Sequence, residues 1–469
     1  MRRAALPVAL VVVAAALAVL ARQAGAGGSV ATRSTRTASA TPLLSARRIP
    51  EWLAAPGSDQ LLRTALDQVI GASPQATCLT VSAGGRTIYS HNPALSLPPA
   101  SNDKLITAVA AIDQLGPNTQ LHTELVAPSG LVGGEVHGDA YLVGGGDPVL
   151  STGDYADHFQ DRRRIATSLE SFADRLTKAG LKRITGRLLG DESRYDSLRA
   201  VPSWPARFTT QNESGPLSAL TVNDNFASFP ASQIEGASVN GTPAPDPPSF
   251  AAQTLGDLLV ARGVRVEGGY GTGRAPKGAK RIGVVDSPPM RSMVKELLTE
   301  SDNQTAELLT KELGQEKGRT GSTAAGVSVI KGVLGRLGVP LAGVAVTDGS
   351  GLDDGNRATC PFLAGLLVHA GRHSPIGDGL PVAGESGTLA NRFVTSPAKG
   401  RLRAKTGTLN YVTALSGYVD TRPGATLTFS YIASGRAVSA ALVRIQEDLG
   451  NALVRYPEGP PLAALGPST

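Results

Sequence analysis

Three short segments carry residue types and spacings suited to nucleophilic catalysis. Ser101-Asn102-Asp103-Lys104 sets a hydroxyl and an amine three residues apart. On a helix these share a face one turn apart, so the amine can reach the hydroxyl and, with a lowered pKa, take its proton. The pattern alone is weak, because it recurs at Ser292 to Lys295, Ser328 to Lys331 and Ser396 to Lys399. Context selects Ser101. Leu97-Pro98-Pro99-Ala100 interrupts the chain, and Leu105, Val109, Ile112 and Leu115 then recur at helical spacing until Gly116-Pro117. Ser101 therefore opens a helix, where free N–H groups and the dipole favour a developing oxyanion. The other segments are Ser301-Asp302-Asn303 and Lys405-Thr406-Gly407, the second occurring once and starting a predicted strand. Read singly, Lys104 is an exposed helix lysine, Ser301 an N-cap and Lys405-Thr406-Gly407 a strand edge. Together those readings require three coincidences.

The elements around these segments divide the chain. Asp59 to Ile70 has helical periodicity, and Ala76 to Ala83 with Arg86 to Ser90 predicts a hairpin turned by Gly84-Gly85. From about Leu125 the texture changes to short alternating segments separated by turns, with one amphipathic helix over Ile165 to Ala179. The cluster Pro243-Ala244-Pro245-Asp246-Pro247-Pro248 reads as loop. Helical texture returns near Ser287. Ala414 to Val419 and Thr426 to Ile432 predict a second hairpin, and Val438, Leu442, Ile445, Leu449 and Leu453 mark the apolar face of a last helix. The expected organisation is a domain built from residues 48–124 and 287–458, interrupted by a smaller β-rich insert over 125–286.

Composition agrees with a packed, loop-rich protein: 41% hydrophobic, 18% charged, 55 Gly and 32 Pro. The formal charge of +6 arises from 45 basic and 39 acidic residues spread along the chain, with no basic block beside aromatics, so no nucleic-acid partner is expected. Arg2 and Arg3 precede an apolar run from Ala4 to Ala21, followed by Ala24-Gly25-Ala26. This is the pattern of an export signal over residues 1–26, and the run is also long enough for an uncleaved membrane anchor. Residues 27–47 have tether composition, and 459–469 form a tail. The protein is expected in the periplasm or cell-wall space. Cys78 and Cys360 are the two cysteines, outside any ligand cluster, and in an oxidising compartment they form either a disulfide or two buried thiols. His369 and His373 have i, i+4 spacing but no accompanying carboxylate motif, so neither a metal nor any other cofactor is expected.

Ser-x-x-Lys, Ser-Asp-Asn and Lys-Thr-Gly in this order resemble the signature of penicillin-binding proteins and serine β-lactamases. Within that group the chain resembles the low-molecular-mass class C penicillin-binding proteins over about Glu51 to Tyr456. Further similar segments are Gly144 to Pro148, Leu220 to Asn225 and Asp348-Gly349-Ser350-Gly351-Leu352. The 200-residue gap between Ser101 and Ser301 suits the same family, whose members carry extra domains there.

The resemblance implies an α/β/α transpeptidase-like fold with an inserted domain. The implied activity is D-Ala-D-Ala carboxypeptidation, with endopeptidation of cross-links, on peptidoglycan stem peptides, and inhibition by β-lactams. It makes Ser101 the nucleophile and Lys104 the general base, with Ser301 relaying a proton and Asn303 holding the substrate amide. Lys405 and Thr406, beside Gly407, would bind the terminal carboxylate, and the N–H groups of Ser101 and Thr408 would form the oxyanion hole. The alternatives are a serine β-lactamase and a catalytically silent cell-wall-binding protein. One departure stands out: Asp353-Asp354 follows Gly-Ser-Gly-Leu, where many relatives have Ser-Arg.

Overall fold

The computed structural model describes residues 44–159, 164–232, 241–422, 425–435, 437–459 and 465. The expected signal or anchor, nearly all of the tether, and the tail beyond Gly459 apart from Leu465 lie outside these residues. Residues 55–459 form one compact unit. Its centre is a five-stranded antiparallel sheet made of β1 (Ala76–Ala83), β2 (Arg86–His91), β3 (Leu402–Leu409), β4 (Val412–Arg422) and β5 (Ala425–Ser434), in the order β3-β4-β5-β1-β2. The two predicted hairpins thus meet through β1 and β5.

Both faces of this sheet are buried, and the side-chain period of two decides which residue goes where. Leu79 and Val81 of β1, Leu415 and Val419 of β4, and Phe429, Tyr431 and Ala433 of β5 point to one face. There they meet Leu62, Leu66 and Val69 of α1 (Pro50–Ala72) and Leu442, Ile445, Leu449 and Leu453 of the last helix (Ala440–Val454). Cys78, Ala414, Tyr418 and Ile432 point the other way. They join α2 (Lys104–Leu115), α3 (Met290–Glu300), α4 (Asn303–Gly318) and α5 (Cys360–Ala370). The result is an α/β/α sandwich in which α2 is buried along its first eight residues.

A third hydrophobic cluster draws its buried members from Leu125 to Val285. It lies under a five-stranded mixed sheet ordered Tyr270–Thr272, Leu188–Asp191, Ala140–Val143, His122–Ala127, Lys280–Asp286, with a smaller three-stranded parallel sheet beside it.

Local differences from expectation have simple causes. The amphipathic helix covers Leu169–Lys178, because Thr167 and Ser168 pair with Leu150 and Ser151 and the Ser168 hydroxyl caps the helix at Ser171 N. The proline cluster is loop only in part: Pro247 and Pro248 open a further helix, Pro247–Val260. Proline is compatible with a first turn, whose N–H groups have no partner inside the helix. The insert is accordingly less dominated by strands than its sequence texture implies. His369 sits in α5, whereas His373 follows the helix end at Gly371, so the two do not share a helical face. Among the described residues no helix is long and apolar enough to cross a membrane.

Candidate active site

Ser101 lies in a 3-10 turn, Ala100–Asp103, and Lys104 begins the α-helix proper. Ala100 has φ 49°, unusual for a residue with a Cβ, so the turn before the hydroxyl is sharp. Gly351 packs against it so closely that a Cβ there would stand 2.0 Å from the Ala100 carbonyl oxygen. This turn aims Ser101, half-buried, at the end of a fully buried lysine. Lys104 Nζ donates to Ser101 Oγ at 2.9 Å, to Asn303 Oδ1 at 2.7 Å and to the Ser350 carbonyl at 2.7 Å. Burial lowers the Lys104 pKa to about 8, against the opposing pull of Asp348, Glu307, Asp103 and Glu213.

Asn303 is delivered by a reversal between two helices. Ser301 closes α3 in the left-handed region with φ 63°, and Asp302 caps α4 by accepting from Thr305 N at 3.0 Å. The sequence offers Ser301 as the cap; its neighbour caps the helix instead, and the Ser301 hydroxyl is left to accept from Lys405. Asp302 also pairs with the largely covered Arg164, which binds Asp224 and Glu296 at 2.8 Å each. The insert thereby grips the middle residue of Ser-Asp-Asn.

Lys405 is in the interior of β3, not at its start as expected. β3 is an edge strand, so one of its backbone rows is unpaired within the sheet. The Lys405 side chain is fully buried and Nζ donates to Ser301 Oγ at 2.8 Å and to its neighbour's carbonyl, Thr406 O, at 3.0 Å. Burial and the charge on Lys104 hold its pKa well below the usual lysine value, while Glu300 opposes them. Thr406 Oγ1 bonds Thr388 Oγ1 at 2.8 Å. A Cβ on Gly407 would come within 2.9 Å of the Pro99 carbonyl, so this glycine lets the strand run beside the Ser101 turn. Thr408, two positions beyond Thr406, is exposed.

Lys104 to Asn303 and Lys405 to Ser301 therefore link all three sequence motifs. The remaining Ser-x-x-Lys matches do not join them. Lys295, Lys331 and Lys399 are exposed, and Ser396 bonds Asn451. Sequence reading missed the groups behind Lys104. Glu307 accepts from the N–H groups of Gly349 and Ser350, and Asp348 accepts from Gly351 N, Asp353 N, Trp204 Nε1 and Asn356 Nδ2. The available signals were the spacing of Glu307, four residues after Asn303, and the Asp-Gly-Ser-Gly-Leu segment itself. Asp353 of the departing pair is buried and accepts from the Ser203 hydroxyl, whereas Asp354 is exposed.

The D-Ala-D-Ala carboxypeptidase 3 (S13) family model matches residues 59–245 and 231–454. A D-alanyl-D-alanine carboxypeptidase of Actinomadura is 31% identical, over 84% of this chain and 84% of its own length. A carboxypeptidase of Mycobacterium tuberculosis is 30% identical over 79% of each chain. Among solved structures, penicillin-binding protein 4 of Haemophilus influenzae superposes with a TM-score of 0.67 at 22% identity, covering 83% of this chain and 99% of its own, and so shares the fold. A buried lysine on a serine hydroxyl, inside that fold and under that family model, makes this chain a serine hydrolase that belongs to the D-Ala-D-Ala carboxypeptidase 3 (S13) family.

Proposed function

We propose that this chain is an exported serine DD-carboxypeptidase, with DD-endopeptidase capacity, which cleaves D-Ala-D-Ala ends of peptidoglycan stem peptides through an acyl-enzyme on Ser101. The observation that carries the proposal is the Lys104 amine, fully buried and 2.9 Å from Ser101 Oγ. In its neutral form the amine takes the Ser101 proton while Oγ bonds to the peptide carbonyl carbon. The N–H groups of Ser101 and Thr408 receive the resulting oxyanion. The C–N bond then breaks, and the departing D-Ala amine takes a proton through Ser301 from Lys104. Water, activated in turn by the amine, hydrolyses the ester and frees Ser101. Asn303 holds Lys104 through Oδ1 and borders the substrate amide, while Thr406 borders the terminal carboxylate. The separate hydrophobic cluster under the insert supports the division into residues 48–124 with 287–458 and the insert 125–286. Residues 1–26 are the export signal or anchor.

Benzylpenicillin, whose strained amide mimics acyl-D-Ala-D-Ala, should add its mass to the peptide containing Ser101, and Ser101→Ala should abolish labelling. Mass found instead on Ser292, Ser328 or Ser396 refutes the choice of nucleophile. Slow loss of the label fits a carboxypeptidase, and rapid loss identifies a β-lactamase.

Lys405 supplies a second test. A buried lysine with a depressed pKa regains its charge when a carboxylate arrives as counter-ion. Lys405→Ala should lower kcat/KM on a pentapeptide by about 10- to 100-fold, the worth of one charged hydrogen bond. Amidating the substrate's terminal carboxylate should cost the wild-type protein a similar factor, and the variant little more. A variant that still prefers the free acid removes Lys405 from this role.

A further inference from the structure

Besides Ser101 Oγ, Lys104 Nζ has two acceptors, and α4 sets both. Asn303 Oδ1 is the first. The second is the Ser350 carbonyl, and its position depends on a side chain one helical turn beyond Asn303. Glu307 Oε1 accepts from Gly349 N at 3.0 Å and from Ser350 N at 2.8 Å. The same loop is fastened by Thr107 Oγ1 on the Gly349 carbonyl at 2.7 Å, and it lies hard against α4. A Cβ on Gly349 would come within 2.0 Å of Thr310 Oγ1 and 2.6 Å of the Ala306 carbonyl. One carboxyl holding two consecutive N–H groups fixes the peptide planes on both sides of Gly349 and so seats Ser350; the next plane, which carries the Ser350 carbonyl, is then completed by Gly351 N donating to Asp348 Oδ1 at 2.8 Å.

We infer that Glu307 is a positioning residue for acylation: by holding the N–H groups of Gly349 and Ser350 it seats the residue whose carbonyl orients Lys104 toward Ser101. The inference rests on the role of Lys104 proposed above. Glu307 itself is fully buried, and its Oε2 has no hydrogen-bond partner among the described residues. Burial, and then the charge of Asp348, raise its pKa to about 8, so near neutral pH it retains its proton and glutamine is its close mimic. The titratable groups around Lys104 are Asp103 from the same turn, Glu307 from α4, Asp348 from the loop, Glu213 from the insert and Lys405 from β3.

The test uses the full chain and benzylpenicillin. The stoichiometry of labelling counts competent sites, and the rate per competent site is followed against pH. Glu307→Gln keeps an oxygen for both N–H groups and should acylate within about threefold of wild type. Glu307→Leu leaves both N–H groups unpartnered, and its rate per competent site should fall by about 10²-fold, as expected of a base misaimed by roughly an ångström. Its rising pH limb should also move to lower pH, because the Lys104 ammonium has lost an acceptor. A residue that only supports the fold would reduce the number of competent sites and leave rate and limb unmoved, and that result overturns the inference. So does a glutamine variant as slow as the leucine one. If Glu307→Leu does not fold, Glu307→Asp, one methylene short of both N–H groups, is read on the same two scales. Wild-type protein that carries no label on Ser101 would instead refute the proposed function, and this inference with it.

Discussion

Lys104→Arg should remain folded yet acylate Ser101 about 10³-fold more slowly than wild type, within the span that general-base catalysis supplies. The lysine has no exposed surface, and three oxygens lie within 2.7 to 2.9 Å of Nζ. Burial opposes its charge and brings the pKa down to about 8, so an appreciable fraction of the amine is neutral at working pH. A guanidinium keeps its proton throughout this range and has no lone pair to offer Ser101. The direction of the pH dependence follows. A base works unprotonated, so wild-type acylation should rise with pH to a plateau just above pH 8, falling about tenfold per unit on the acid side. The arginine variant should show no such limb. Stopped-flow acylation by benzylpenicillin from pH 5 to 9, with circular dichroism to verify folding, measures both. Rates within tenfold of wild type, or a limb that survives the substitution, would exclude Lys104 as the base.

The residues that this experiment tests were legible in the sequence, but the packing around them was not. Four Ser-x-x-Lys matches have the same spacing, and packing sets one apart: Lys104 is buried while Lys295, Lys331 and Lys399 are exposed. Helical periodicity before Gly116 and the proline break before Ser101 were enough to single out the match whose lysine is buried, because local chain stiffness is written in local sequence. The same reasoning found both hairpins of the central sheet. It set Lys405 at a strand start, although β3 begins three residues earlier, because an edge strand buried at Leu402 and Ala404 lacks a clean boundary signal.

Long-range contacts left less trace. Glu307 reads as an ordinary acid in a helix, and nothing nearby in sequence announces that its partners are the N–H groups of residues 349 and 350. The grip of Arg164 on Asp302 joins residues 138 positions apart and depends on the insert folding back onto α4. The departure from the family pattern spans Asp353 and Asp354, of which sequence alone favours Asp354, at the arginine position, as the one that meets substrate. In the fold the first is buried against Ser203 and the second is exposed, so only the second is available to face solutes.

Removing the disulfide between Cys78 and Cys360 should cost about 5 kcal/mol of stability, the upper end for such bonds. The bond closes a separation of 282 residues, so in the chain-entropy account it removes much of the freedom of the unfolded state. Both cysteines are fully buried, one on β1 and the other at the first turn of α5. The same stretch has a second attachment: Ala358 exchanges backbone hydrogen bonds with Leu97 at 2.9 and 3.0 Å, four residues before Ser101. That pairing belongs to the folded state and survives the loss of the disulfide, so the nucleophile's turn should keep its geometry. The expected result is therefore a melting temperature lowered by about 6 °C for a unit of this size, with the acylation rate at 25 °C little changed. Cys78→Ala/Cys360→Ala is the variant of choice, because two buried serines would add unpaired hydroxyls. Wild-type protein unfolded without reductant should leave both thiols unreactive to a maleimide. A double variant that melts within a degree of wild type would show that the bond contributes nothing, and a large loss of acylation at 25 °C would show that it also holds the Ser101 turn.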